Sequence, residues 1–129
     1  LAGDGVQAPE LIDLGGPAVE GIYFTTHFHK DMVKGDRGKK FMETFKKETQ
    51  KEADAFSAMG ADAYFILIDA IKRAGSDDPT KIRQALVDTK NFEGVSGTIT
   101  MQTSGDPIKT MVVNKVENGK FVYVTSINP

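Results

Sequence analysis

Residues 91–109 read NFEGVSGTITMQTSGDPIK, and this stretch decides the fold. Upstream of it the apolar residues recur at helical spacing. Here the period changes. Thr98–Met101 alternates, with Ile99 and Met101 on one face and Thr98 and Thr100 on the other, the pattern of a half-exposed strand. Gly94 and Gly97 permit tight backbone turns before it, and Thr103–Pro107, TSGDP, reverses the chain after it. An enzyme loop, a metal loop and a phosphate cradle would each need something else. The stretch has no G-x-S-x-G elbow, no G-K-[ST] and no alternating Asp/Asn ligands of a calcium loop. It is punctuation between a helical region and a β region.

Working outward toward the N-terminus, SDDPTKIRQALVDT opens a helix. Asp77 or Asp78 can cap it, Pro79 takes the first helical position, and Ile82, Ala85 and Leu86 form the inner stripe. Before it, Ala55–Ala74 is apolar nearly all round and ends in Lys72, Arg73 and Gly75, which predicts a helix buried on more than one side. Phe41, Met42 and Phe45 share one face of a third, amphipathic helix with a solvated basic face. The polar and basic residues from Phe28 to Gly38 read as a loop. Gly21–Phe28 is β-branched and aromatic, a short buried strand. PELIDLGG starts with Pro9 and stops at Gly15–Gly16, a short helix. GDG at Gly3–Gly5 is a turn. On the other side, KTMVVNKV and KFVYV are separated by ENG, a hairpin with Asn118–Gly119 at its tip. The expected order is a truncated strand, then α-β-α-α-α-β-β-β.

The 129 residues are 40 % hydrophobic and 26 % charged, in keeping with one globular unit. A net charge of −2 gives no argument for nucleic acid or an anionic membrane as partner. The absence of cysteine removes disulfides, thiolate metal sites and cysteine nucleophiles together. The chain starts without Met and without a signal-like segment, so a processed product or a fragment is expected.

Few residues carry chemistry. His27 and His29 form H-x-H and share a face of the strand, but a third metal ligand would have to come from a scattered carboxylate, and no metal is expected. Asp62 and Asp69 lie two turns apart on one helix face. They could act as an acid–base pair, but no nucleophile accompanies them, and the favoured reading is a polar stripe that accepts bonds from neighbouring elements. Asp4 sits in a glycine turn directly before a helix. At the carboxyl end of a strand in an open α/β sheet, such a carboxylate can receive a ligand's ammonium group.

Taken in order, GDG, GIYFTTHF, KKFMETFKKE, DAFSAMGADAYFILIDAIKRAGSDDPTKIRQAL, FEGVSGTITMQTSGDPIK and GKFVYV closely resemble the C-terminal part of the branched-chain amino-acid-binding proteins. These are type I periplasmic solute-binding proteins of ABC importers. The resemblance implies an α/β chain that is part of a two-lobed fold, with parallel sheets, flanking helices and a C-terminal β-hairpin. Residues 1–24 would come from one lobe, about 25–110 mainly from the other, and about 111–129 would form the closing hairpin and a crossing between lobes.

The same resemblance implies a non-enzymatic, periplasmic or otherwise extracytoplasmic binder of a branched-chain or other small amphiphilic amino acid. The solute would be held between lobes by hinge closure and delivered to the importer's membrane subunits, with no cofactor. Asp4 stands where the family holds the ligand's ammonium group, and Phe56 where an aromatic ring packs on the ligand's side chain. His27 and His29 fall near the hinge. The family's carboxylate-binding N-terminal region is missing from these residues, so the chain alone is expected to bind weakly. It is also expected to associate with that segment or with a second copy. The alternative is a ligand-sensing module of a receptor or regulator using the same fold.

Overall fold

The computed structural model describes residues 1–129. Helix α1 spans Pro9–Gly15, α2 Asp36–Thr49, α3 Ala55–Ala74 and α4 Pro79–Val87; strands are β1 Tyr23–Thr26, β2 Phe92–Glu93, β3 Thr98–Met101, β4 Pro107–Ile108, β5 Met111–Glu117 and β6 Lys120–Ile127. No helix is long and apolar enough to cross a membrane.

Local signals account for most boundaries. A capping box starts α3: the Ser57 amide donates to the Asp54 carboxylate (2.8 Å) and the Asp54 amide to the Ser57 hydroxyl (2.9 Å). Gly75 ends α3 at φ 58°, in the left-handed region. Asp78 caps α4 by accepting from the Thr80 amide (2.8 Å). Asn118 and Gly119, at φ 54° and 65°, make the β5–β6 turn that an Asn-Gly pair favours. Helix α2 starts at Asp36, inside the expected loop. Gly38, the one buried residue of α2, has no Cβ to strike the Val33 side chain or the Val95 carbonyl, so the helix's first turn seats closely against both.

Two expectations need correction. Pairing is antiparallel in both three-stranded sheets, ordered β1-β5-β6 and β2-β3-β4. The parallel element is confined to a bridge between Ala2 and Phe24. Helix α3 is buried on one side only: Ala55, Ala58, Asp62, Ile66 and Ala70 face inward, while Tyr64 is 61 % exposed and Leu67 42 %. Within these 129 residues α3 packs on α4, and nothing covers its outer face.

The apolar residues form two cores. One gathers Phe28, Ala55, Ala58 and Val95 with Phe41, Met42 and Phe65 around them. The other gathers Val19, Phe24 and Val116 with Leu11, Ile12 and Phe121. Burying a ring such as Phe24 is worth about 2–3 kcal/mol. Its edge-on contact with Phe121, at 5.3 Å between centroids, adds to this. The chain passes from the second core at Phe24 to the first at Phe28 in four residues. Strand β5 ends in the second core at Val116, and β6 starts beside it at Phe121.

Candidate functional site

A groove of about 260 Å³ lies where the two cores meet. Gln7 and Pro9 line it from the start of α1, Glu52–Asp54 from the segment before α3, Phe28–Lys30 from the exit of β1, and Lys120 and Phe121 from the start of β6. Its surface therefore combines apolar rings with charges of both signs. Of the carboxylates, Asp54 is engaged as the α3 cap. Glu52 is paired with Lys46 at 2.5 Å, and that hydrogen bond and charge hold its carboxyl below the ordinary carboxylate range. Lys30 and Lys120 have no ion-pair partner.

Buried His29 accepts from the Asp31 amide at Nδ1 (3.3 Å), turns Nε2 toward the Phe121 carbonyl (3.5 Å), and lies 5.9 Å from the Tyr123 ring. His27 turns Nδ1 to the Thr110 carbonyl (3.3 Å). No group of three His, Asp or Glu side chains converges as a metal site would require.

Asp4 lies in the 3-10 turn Asp4–Val6 that leads to Gln7; its carbonyl accepts from the Gln7 amide (3.3 Å), and its carboxylate is exposed and unpaired within the chain. Phe56 is the second residue of α3, two after the Asp54 cap, and is 49 % exposed. Neither Asp4 nor Phe56 lines the groove; the residues nearest to them in the chain that do are Gln7 and Asp54.

The acid–base candidates do not form a pair. Asp62, 3 % exposed, accepts from the amides of Val95 and Ser96 and from the Ser96 hydroxyl. The Lys109 ammonium donates in turn to the Ser96 oxygen. Burial drives Lys109 below its ordinary range, opposed by the charge of Asp62. Asp69 instead binds Arg73 (2.7 Å), whose guanidinium also reaches the Ala85 carbonyl and the Thr89 hydroxyl at 2.7 Å each. Asp62 thus ties the 94–97 turn to α3, and this explains the glycines of that turn. A Cβ on Gly94 would strike the Asp62 carboxylate, and Gly97 has φ 113°. Gln7, and Ser96 and Lys109 as partners in the Asp62 network, escaped the sequence reading, which expected of Asp62 only that it accepts bonds from neighbouring elements. Only an isolated polar residue before Pro9 and one Asp in an apolar helix marked them.

A family profile described as "Periplasmic binding protein" matches residues 1–120. The chain belongs to this family. Membership of a periplasmic binding family implies an extracytoplasmic location. Among solved periplasmic binding proteins, a leucine-binding protein from Thermotoga maritima is 50 % identical, with a TM-score of 0.93 over 98 % of this chain and 36 % of that one. The branched-chain amino acid transporter substrate-binding protein of Streptococcus pneumoniae, solved with isoleucine, is 25 % identical with a TM-score of 0.86, over 98 % of this chain and 36 % of that one. A Leu/Ile/Val-binding protein homolog of Brucella abortus is 30 % identical over 127 residues, 95 % of this chain and 33 % of its own length. The chain therefore spans about a third of the length of the curated relatives it matches. Likeness to these solved structures confirms an α/β chain with the type I periplasmic-binding-protein architecture.

Proposed function

We propose that the chain forms part of the solute-binding component of an ABC-type importer for branched-chain or similar small amphiphilic amino acids. The observation that carries this is the 50 % identity, at TM-score 0.93, with a leucine-binding protein across nearly the whole chain. The two cores are two lobes: residues 1–24 belong to one, about 25–110 mainly to the other, and 111–129 cross between them. Solute sits in the groove, and the membrane subunits of the importer receive it. Asp4, exposed and unpaired in its turn, supplies the anion for the ligand's ammonium group. Phe56, half exposed at the start of α3, supplies the apolar wall. The protein is a binder and not an enzyme: its one buried carboxylate, Asp62, is spent on backbone amides and a serine.

Calorimetry on the complete gene product tests this, with leucine, isoleucine and valine as ligands. Asp4→Asn should weaken leucine binding by about 2–4 kcal/mol, roughly 30- to 1000-fold. Phe56→Ala should cost about 1–3 kcal/mol for leucine and much less for alanine, whose side chain buries little surface. Absence of binding by all three amino acids at millimolar concentration would refute the ligand class, and unchanged affinity in Asp4→Asn would refute the clamp.

A further inference from the structure

Gln7 joins two places that otherwise belong to separate cores. It is 5 % exposed. Its amide nitrogen donates to the Phe28 carbonyl at 3.1 Å, and its amide oxygen accepts from the Thr26 hydroxyl. Thr26 is fully buried and Phe28 is 3 % exposed. Phe24, two residues before Thr26, is packed in the second core, whereas Phe28 is packed in the first. One side chain therefore grips the strand where it leaves one core for the other. On its own side, the Gln7 amide donates to the Asp4 carbonyl (3.3 Å) and the Ala8 amide to the Val6 carbonyl (2.8 Å), which closes the turn bearing Asp4. Beyond Gln7, Pro9 opens α1, anchored in the second core by Leu11 and Ile12. Rotation about residues 24–28 must therefore carry the Asp4 turn with it or break two buried hydrogen bonds.

We propose that Gln7 is a positioning residue that couples the Asp4 turn to the inter-core strand, so that ligand contact at the turn and closure of the groove are one event. This rests on the reading of Asp4 as the ligand's anionic partner. A carboxamide suits the task because it carries a donating NH₂ group and an accepting carbonyl oxygen side by side. The Phe28 carbonyl needs the donor, and the Thr26 hydroxyl needs the acceptor. Glutamate at this position keeps the acceptor and, when ionised, loses the donor. When protonated it regains one, now as O–H. Burial beside a carbonyl raises such a carboxyl's pKa, bringing that recovery into mildly acidic solution.

The test uses the complete gene product with leucine as probe. Gln7→Leu should weaken leucine binding by about tenfold and raise the dissociation rate, without loss of the circular dichroism spectrum. Gln7→Glu should show a similar defect near pH 7, and its ratio to wild type should recover to about twofold near pH 5. A side chain that only adds stability would shift the melting temperature and leave both ratios flat. Hydrogen exchange on the unliganded protein supplies a second arm: Gln7→Leu should speed exchange by about tenfold at position 7 and Ala8 and, together with them, at Met32, whose amide donates to the His29 carbonyl (3.0 Å) just past Phe28. If wild type binds no leucine yet these amides respond together, the ligand assignment fails and the coupling stands. Unchanged exchange overturns the coupling. Where leucine does bind, unchanged affinity in Gln7→Leu or a pH-independent defect in Gln7→Glu overturns it equally.

Discussion

Removal of the Asp62 carboxylate should unlatch the turn that the FEGVSG segment builds. Asp62 is 3 % exposed and holds three donors: the Val95 amide, the Ser96 amide at 3.1 Å and the Ser96 hydroxyl. In Asp62→Ala the Val95 amide, on a residue only 2 % exposed, has no other partner. Leaving such a group unsatisfied costs about 1–3 kcal/mol. The Ser96 groups are half-buried and can turn to water, so their loss is nearer ~0.5–1 kcal/mol. Lys109 then keeps its partly buried charge without the nearby carboxylate that opposed desolvation. The hydrogen-bond losses give about 1.5–4 kcal/mol, and the uncompensated Lys109 charge moves the total toward the ~3–5 kcal/mol range for breaking a buried charged network by removing one member. Asp62→Asn keeps an oxygen for Val95 but turns an NH₂ group toward Ser96, and should lose about half as much. Urea unfolding followed by circular dichroism measures the loss, and hydrogen exchange at Val95 and Ser96 localises it. A loss below about 1 kcal/mol in Asp62→Ala, or unchanged protection at Val95, would refute the reasoning.

The same network should respond to pH through Lys109. Its folded pKa lies below the ordinary 10.5, so the unfolded chain binds more protons in the window between the two values. Stability should rise with pH across that window and stay level below the folded pKa, where both states hold the proton; urea titrations of wild type and Lys109→Gln between these limits should show the rise only in wild type. Gly94→Ala should destabilise by about 1–3 kcal/mol because its methyl group displaces the Asp62 carboxylate; combined with Asp62→Ala, it should cost less than the sum. At the hairpin tip, Glu20 accepts from the amides of Asn118 (2.7 Å) and Gly119 (3.3 Å). Glu20→Ala should cost about 0.5–1.5 kcal/mol and speed exchange at those two amides, while Glu20→Gln, which keeps an acceptor for only one of them, should lose about half as much.

Much of the architecture was legible because its causes are local. Asp78 and Pro79 start α4, Gly75 stops α3, and Asn118–Gly119 turns β5 into β6, whatever lies elsewhere in the molecule. The alternation of Thr98–Met101 likewise announced β3. The short strands β2 and β4 were not visible: each has two residues and exists only through pairing with β3. Asp4 as a proposed ligand residue had a local signal, a carboxylate in a glycine turn directly before a helix, whereas Phe56 came from the resemblance alone, since a Phe on a helix has no distinctive pattern of its own.

Sequence by itself determined where α1, α3 and α4 begin and end and where the chain turns. Tertiary structure alone decided that the apolar residues divide into two cores, that Asp62 is buried against Val95, 33 positions away, and that Gln7 reaches Phe28, 21 positions away. The reason is physical. Caps and turns satisfy backbone groups within a few residues, so their chemistry is written in adjacent letters. A buried amide or carboxylate is tolerated only where distant elements bring it a partner, and no adjacent letters record which partner that will be.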